Sequence, residues 1–568
     1  MMNKPTTKRI SGSEALMLSL LAEDVDTIFG YPGGAIMPVF DSLYDYTDRF
    51  RFILTRHEQG AGHMAQGYAR VSQKPGVAIV TSGPGATNML TCLADAMIDS
   101  TPMVCISGQV VSSLLGTDAF QETDIIGMSM PITKWNFQIT SPEEVPQAIA
   151  KAFYIARSGR PGPVLLDFTK NAQLGMLDFS YAPCHFIRSY VPFPKVQTDK
   201  IALAANLLNQ AQRPMILVGQ GVLLAQAEEE LKAFVEKTGI PAASTLLGLS
   251  ALPTNHPLNL GMLGMHGNYG SNKMTSQADV IVAMGMRFDD RVAQDVKKFA
   301  AQAQIIHMEI DPSEVSKNIA AHIPLLGDLK QTLPLLTRAC SKNEYPEWMK
   351  LHAEYAAIEE ERVIQPLLYP STPEISMAEA VRVVNEHTGG SAIVVTDVGQ
   401  HQMIAARYAK LNTARTFITS GGLGTMGYGL PAAIGAKLAC PGKEVVLFVG
   451  DGGIQMTIQE LGTIMESKVG VKIVVLNNGF LGMVRQWQEL FHGGRYSSTP
   501  MMSPDFIALA AAYAIPGQKV ETRSDLSGAI DRMFATPGPF FLEVMVASED
   551  NVFPMIPAGK SVDDIRFE

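Results

Sequence analysis

The chain has little cysteine, no basic excess and no long apolar run, and each shortage removes a class of protein. Its five cysteines, Cys92, Cys105, Cys184, Cys340 and Cys440, are scattered among 568 residues, odd in number and without CxxC spacing. Neither a disulfide framework nor a zinc site follows, and reduced core thiols do. The net charge is -10 with no stripe of Lys or Arg to offset it. A polyanionic partner such as nucleic acid is disfavoured, although small anions in local clefts are not. No apolar run reaches the roughly 18 residues that a membrane-spanning helix needs. The first residues, MMNKPTTKRISGSEALMLSLL, lack the apolar core and small-residue cleavage site of a secretory signal. The expectation is a cytoplasmic protein that binds neither membrane nor nucleic acid.

What is present is an ordinary globular composition, 46% hydrophobic and 18% charged, at a length that accommodates about three to four domains. Two stretches without clear period divide it. Residues 175–198 are rich in Pro and aromatics, and residues 341–375 are charged and end in QPLLYPSTPEIS. Domains are therefore expected over 1–185, 196–345 and 372–568. Each alternates apolar strand-like runs with amphipathic segments: TIFGYPGG, GVAIVTSGPG and PMVCISGQ, then PMILVGQG, DVIVAMGMRFDD and IIHMEIDP, then AIVVTDVGQ, VVLFVGDGG and VKIVVLNN. That alternation predicts an α/β fold of three domains, each a mostly parallel sheet wound by helices on both faces. The three thirds share one βα rhythm without a tandem repeat.

Residues 445–478 carry the most chemistry. VVLFV and VKIVVL read as buried strands, and IQMTIQELGTIMES between them reads as a helix. A β-α-β unit makes the strands parallel, so Asp451 and Asn478 fall at two carboxyl ends on one side of a sheet, where open α/β sheets bind ligands. Mg²⁺ takes oxygen ligands and keeps phosphate and water among them. Asp451, the Asn478 amide oxygen and a nearby main-chain carbonyl suit that role. Gly450, Gly452 and Gly453 let backbone approach phosphate at a helix N-terminus. A plain Gly turn capped by Asp451 is the bland alternative. GDG followed after about 25 residues by NN resembles the thiamin diphosphate (ThDP) motif.

Glu58, in RFILTRHEQGAGHMAQGYARV, follows an apolar run and precedes a Gly- and Ala-rich helix. An acid favoured by the helix dipole would sit there too. ThDP gives it a specific use. The reactive carbon of the cofactor is a weak acid, activated when a carboxyl group hydrogen-bonds the pyrimidine, and a Glu in a mostly apolar pocket is suited to that bond. GYPGGAIMP and TSGPGATN are Gly and Pro turns at the same end of the expected sheet, and GTDAFQETD is a polar loop that holds Phe120 and Gln121.

With RHEQGA, TSGPGATN, GTDAFQE, SGRPGPV, GMLGMHG, MRFDDRV, TDVGQHQM, GLGTMGYGLPAAIGA, GDGG, LNNG, LGMVRQWQ and a Pro-containing C-terminal segment in this order, the chain resembles the catalytic subunit of the acetohydroxyacid synthase (acetolactate synthase) family over essentially its whole length. The resemblance implies ThDP-binding folds in the first and third domains. It makes Glu58 the cofactor-activating carboxylate, and Asp451, Asn478 and the Phe480 carbonyl the Mg²⁺ ligands. Val398, Gly399, Gln400 and His401 would contact diphosphate together with Gly450, Gly452 and Gly453. Gly424, Met426 and Met483 would surround the pyrimidine, with Met426 as a thioether wedge between the rings. Gln121 and Lys170 would line the substrate cleft. Arg291 would take the carboxylate of the second 2-oxo acid, and Trp487 would shape its pocket. FAD without a net redox role would contact Arg160, the segment from His266 to Arg287, Glu309 and Asp328, although VGQG falls short of a full GxGxxG.

The implied reaction decarboxylates pyruvate and joins the two-carbon remainder to pyruvate or 2-oxobutanoate. A homodimer or tetramer with shared sites and a small regulatory subunit are implied partners. Four positions depart from common relatives: Thr169 and Asn171 flank Lys170, Gly453 replaces a Ser, and Phe480 replaces an acid. A pyruvate oxidase-like or catabolic acetolactate synthase enzyme is the alternative.

Overall fold

The computed structural model describes residues 8–568. Three six-stranded sheets, all parallel, carry the fold. In the first, β2 (Thr27–Gly30), β3 (Arg51–Leu54), β4 (Gly76–Val80), β5 (Met103–Gln109), β6 (Trp135–Ile139) and β7 (Pro163–Thr169) run in the order β3-β2-β4-β5-β7-β6. A separate antiparallel pair joins β1 (Lys8–Ser11) to β8 (Met176–Phe179). The second sheet, β9 (Pro214–Val218), β10 (Ala242–Ser244), β11 (Asn259–Met262), β12 (Val280–Met284), β13 (Gln304–Glu309) and β14 (Ile323–Leu326), runs β11-β10-β9-β12-β13-β14. The third, β15 (Ile393–Thr396), β16 (Phe417–Ile418), β17 (Val445–Gly450), β18 (Val471–Asn477), β19 (Gly517–Val520) and β20 (Phe540–Met545), runs β16-β15-β17-β18-β20-β19.

Counted within each sheet, the first and third share the order 2-1-3-4-6-5. The middle one has 3-2-1-4-5-6, the order of dinucleotide-binding doubly wound folds. The common βα rhythm thus hides two topologies. Central strands such as β4, β12 and β18 are buried along their whole length. That is why they read as continuous β-branched runs rather than alternating ones.

The chain packs as two compact units. One comprises the chain up to Val191 with Gly422–Gly442 and Thr457–Val469, and the other comprises Pro192–Gly421, Lys443–Met456 and Gly470–Glu568. Two sequence expectations change here. Residues 341–375 are not an irregular linker: Pro346–Glu359 is a helix that continues through one π-turn, Glu360–Ile364, into Gln365–Leu368. The segment after Asp451 is not one helix either. It breaks at Thr457 into Asp451–Met456, the 3₁₀ turn Ile458–Glu460 and Leu461–Ser467, and the Thr457 hydroxyl donates to the Gly427 carbonyl at 2.9 Å.

In the first unit, the helix Glu58–Ser72 packs on the helix Gly429–Ala439 with almost no space between backbones. A Cβ on Gly67 would lie 2.1 Å from the Ala432 carbonyl oxygen, and one on Gly435 would lie 1.9 Å from that of Met64. Glycine at both positions is a packing requirement. Gly435→Ala is expected to destabilise the unit by about 3 kcal/mol through forced helix separation. The check is a lowered denaturant midpoint for this variant beside an exposed control, Gly528→Ala, whose added Cβ meets nothing within 4 Å.

Candidate active site

Glu58 is the first residue of its helix, four positions beyond the end of β3, and His57 caps the helix by accepting from the Gln59 N–H at 3.1 Å. The strands β3, β2 and β4 are neighbours, so their carboxyl ends bring Glu58 together with the turns at 30–38 and 81–88. The second of these turns supplies the partner: Asn88 donates to Glu58 Oε2 at 2.9 Å. A Cβ on Gly85 would come within 3.3 Å of Glu58 Oε1, so the Gly there leaves the carboxylate accessible from that side.

Lys170 and Gln121 lie at the same sheet end, whereas Arg160 precedes β7 and Asp99, which holds Gly422, precedes β5, both at the amino end. Lys170 begins a short helix at the end of β7, and its ammonium reaches the Gly34 carbonyl at 3.4 Å. Gln121 has a positive φ of 59° and lies against the 81–88 turn, where a Cβ on Gly83 would be 2.8 Å from its carbonyl oxygen. Phe120 is exposed. Arg160 donates to the Ser100 hydroxyl at 2.8 Å. Gly424 (φ +68°) and Met426 lie in a segment fastened by two carboxylates: Gly422 N–H donates to Asp99 at 2.7 Å and the Thr425 hydroxyl to Asp95 at 2.8 Å.

In the second unit, β15, β17 and β18 are adjacent, and their carboxyl ends gather the residues expected around diphosphate and metal. Asp451 is 1% exposed and Asn478 5%. The Ser503 hydroxyl donates to Asp451 Oδ2 at 3.3 Å, whereas buried Oδ1 has no hydrogen-bond partner. Burial pushes this carboxyl up to about 6, against the Ser503 hydroxyl and nearby N–H groups that favour the anion. Asn478 Oδ1 accepts from Phe480 N–H at 3.2 Å, and its amide donates to Gln400 Oε1 at 3.3 Å. Gln400 is held in turn by Gln486 (3.0 Å) and the Asp550 carbonyl (2.9 Å).

Val398 N–H donates to the Asp397 side chain at 2.8 Å. Gly399 (φ +154°) and Gly450 flank the His401 ring, at which their Cβ atoms would lie 2.8 Å and 3.0 Å away. Burial lowers the His401 imidazole to about 4, so it is neutral at pH 7. Its Nε2 is buried and unpartnered. A Cβ on Gly453 would lie 2.6 Å from Asp397 Oδ1 and one on Gly452 2.7 Å from Leu481 Cδ2. Met483 packs partly buried against the sheet core, and the Trp487 ring lies 5.1 Å from that of Phe491, tilted by 41°, further along the helix Gly482–Phe491.

These residues fit a metal diphosphate. Two buried polar atoms, Asp451 Oδ1 and His401 Nε2, have no partner within the protein, and glycine backbone surrounds them. Among the described residues no three His, Cys, Asp or Glu side chains gather as a cation cage. A cation at Asp451 would draw on amide, carbonyl and phosphate oxygens, as Mg²⁺ commonly does.

Around the middle sheet, His266 follows β11, Arg287 follows β12, Glu309 ends β13 and Asp328 follows β14, all at the carboxyl end. The strand order reverses between β9 and β12, where Gly219 N–H donates to the Met284 carbonyl at 2.9 Å and Gly221 N–H to that of Gly285 at 3.0 Å. Buried His266 leaves Nδ1 without a hydrogen-bond partner. Glu309 accepts from its neighbours' N–H groups at 2.8 and 3.1 Å, Asp328 caps Leu329–Ala339, and Arg287 approaches Asp289 at 3.7 Å. Arg291 has a 62% exposed side chain, with Asp290 at 3.7 Å and Met265 Sδ at 3.8 Å.

Three contributors escaped the sequence reading. Asn88 stands inside a recognised turn, but nothing in spacing links it to Glu58. Asp397, in TDVGQ, reads as an ordinary strand-end acid. Glu460 reads as a surface position of an amphipathic helix, yet it is fully buried.

Two sheets of one topology, one presenting a carboxylate and the other an Asp/Asn pair beside phosphate-sized glycine backbone, define a ThDP enzyme. Profiles of this class match all three parts: the N-terminal TPP binding domain over residues 10–128, the central domain over 201–336 and the C-terminal TPP binding domain over 397–544. The acetolactate synthase isozyme 2 large subunit of Escherichia coli K12 is 44% identical over 97% of this chain and 98% of its own. The acetolactate synthase large subunit of Corynebacterium glutamicum is 44% identical, covering 99% and 90%. A probable acetolactate synthase large subunit of Methanocaldococcus jannaschii is 42% identical, covering 98% and 95%. The chain belongs to the acetolactate synthase large-subunit family.

Proposed function

We propose that the chain decarboxylates pyruvate and joins the remaining two-carbon unit to a second 2-oxo acid, as a biosynthetic acetohydroxyacid synthase. Pyruvate as acceptor gives 2-acetolactate, and 2-oxobutanoate gives 2-aceto-2-hydroxybutyrate, at the first common step of branched-chain amino-acid synthesis. The observation that supports this reading is that two sheets of one topology carry, at their carboxyl ends, Glu58 on one and the unpartnered Asp451 Oδ1 and His401 Nε2 on the other.

Bound ThDP would supply an acidic carbon and an electron sink for decarboxylation of the 2-oxo acid. Glu58 would hydrogen-bond the pyrimidine of that cofactor, and Asn88, which donates to its carboxylate at 2.9 Å, would hold it in place. Asp451, Asn478 and the Phe480 carbonyl hold Mg²⁺. Val398, Gly399, Gln400, His401, Gly450, Gly452 and Gly453 hold the diphosphate, and Gly424, Met426 and Met483 the pyrimidine. Gln121 and Lys170 add polar groups to the cleft, and Arg291 binds the acceptor carboxylate beside Trp487. FAD would be held at the carboxyl end of the middle sheet by Arg287, His266, Glu309 and Asp328, and Arg160 is a further flavin contact. Domain boundaries near 185–196 and 345–372, a homodimer or tetramer with shared sites, a cytoplasmic location and a small regulatory subunit complete the reading. The last is supported by the large-subunit names of the relatives. No helix among the described residues is long and apolar enough to cross a membrane.

The deciding assay supplies pyruvate alone and with 2-oxobutanoate, omits Mg²⁺ and ThDP in turn, and identifies products and flavin absorbance. Oxygen uptake without carboligated product would instead mark an oxidase. At the acceptor side, Arg291→Ala is expected to keep decarboxylation and lose carboligation by at least about 10-fold, the scale of a charge-assisted contact. Trp487→Leu is expected to erode the preference for 2-oxobutanoate. Competition between the two acceptors, read from product ratios, checks both, and unchanged ratios and rates would remove these assignments.

A further inference from the structure

We infer that Glu460 is a positioning residue for the catalytic carboxylate: its side chain grips the Arg56 N–H in the turn that precedes Glu58 and sets where that helix begins. The inference rests on the proposed role of Glu58. Glu460 is 0% exposed. Both of its oxygens accept from the Arg56 N–H at 3.1 Å, and the Thr463 hydroxyl donates to Oε2 at 2.6 Å. Room for the carboxylate depends on Gly60, since a Cβ there would lie 2.3 Å from Glu460 Oε1.

The surrounding contacts clamp the same turn. Arg56 reaches back to donate to the Leu54 and Gly462 carbonyls, both at 3.1 Å, and pairs with Glu466 at 2.6 Å. The Thr463 hydroxyl, 3.4 Å from the Leu54 carbonyl, closes the other side.

Helix capping alone does not account for this arrangement. His57 already caps Glu58–Ser72 through its own ring, and a cap needs no buried carboxylate delivered from about 400 residues away in sequence. Burying one is unfavourable unless donors surround it. Burial raises the Glu460 carboxyl, while Thr463 and the Arg56 and His57 N–H groups favour its anion. The donors come from the turn itself, so the turn can hold one position. Asn88 fixes the tip of Glu58 and Glu460 fixes its base. Misplacement of a catalytic group by about 1 Å can cost on the order of 100-fold in rate.

The test uses the holoenzyme with ThDP and Mg²⁺ and compares E460A, E460Q and E460D with E58Q. Three quantities are read: steady-state kcat and KM for pyruvate, the rate at which the acidic C–H of bound cofactor exchanges with D₂O, and amide exchange at Arg56 and His57 in cofactor-free protein. In E460A, kcat and cofactor C–H exchange are expected to fall together by about 10- to 100-fold. KM should stay within about threefold, and the two amides should exchange at least about tenfold faster. E460Q retains one acceptor oxygen in place and should lie between E460A and the parent, with E460D below it.

Faster amide exchange with unchanged cofactor C–H exchange overturns the inference. So does a loss in every Glu460 variant that matches only the fraction of protein unfolded. Parent-like C–H exchange in E58Q overturns the reading of Glu58 itself. Loss in E58Q with parent-like exchange in E460A overturns the positioning role alone.

Discussion

Glu58→Gln is expected to lower carboligation by about 10²- to 10⁴-fold, the span associated with a positioned acid–base group. Fold and cofactor affinity should be close to unchanged. The amide is nearly isosteric and its carbonyl still accepts from Asn88, which holds the native carboxylate at 2.9 Å. What the variant loses is the capacity to carry a shared proton at the oxygen facing Gly85. Rates of acetolactate formation under saturating ThDP and Mg²⁺, with binding followed separately by fluorescence, check it. Full carboligase activity in this variant would overturn the mechanism, and a pure affinity loss would move Glu58 from activation to binding.

Asp451→Ala is expected to fail at an earlier stage, with cofactor retention itself lost. A metal clamp on a phosphate contributes several kcal/mol, so activity at ordinary cofactor concentration should fall by about 1000-fold. Excess Mg²⁺ should rescue it only in part. The same substitution removes a buried carboxyl whose Oδ1 lacks a protein partner. The cofactor-free variant should therefore be no less stable than the parent, because an unsatisfied buried polar atom costs about 1–3 kcal/mol. Opposite signs for apo stability and holo activity, measured by denaturant titration and by ThDP titration, are the diagnostic result. A destabilised apo protein with intact cofactor binding would make Asp451 a structural acid.

The parallel strands and the strand-end clusters proposed as functional were legible because buried strands concentrate β-branched residues and ligand-binding ends concentrate Gly, Asp and Asn. Strand order was not, since nothing local distinguishes 2-1-3-4-6-5 from 3-2-1-4-5-6. The latter supports a dinucleotide crevice that VGQG alone left weakly marked. The break at Thr457 was invisible to periodicity because its cause is a hydroxyl bonded to a carbonyl 30 residues away. Charged residues hid the helix at 346–359, which carries Glu359 2% exposed and paired with Arg407 at 2.5 Å. Burial of an acid such as Glu460 is likewise a tertiary fact that a helical pattern cannot carry.

The interleaving of chain segments limits how such proteins can be recombined. The unit that bears Glu58 is completed by residues 422–442 and 457–469, and the contact at Gly67 and Gly435 tolerates no added methyl group. A crossover at Val191 between diverged homologues would mate a foreign helix to this chain's 429–439 segment and a foreign turn to its Glu460. The heritable module is thus three discontinuous stretches that must travel together, and substitutions at their mutual contacts should be tolerated only in compensating pairs.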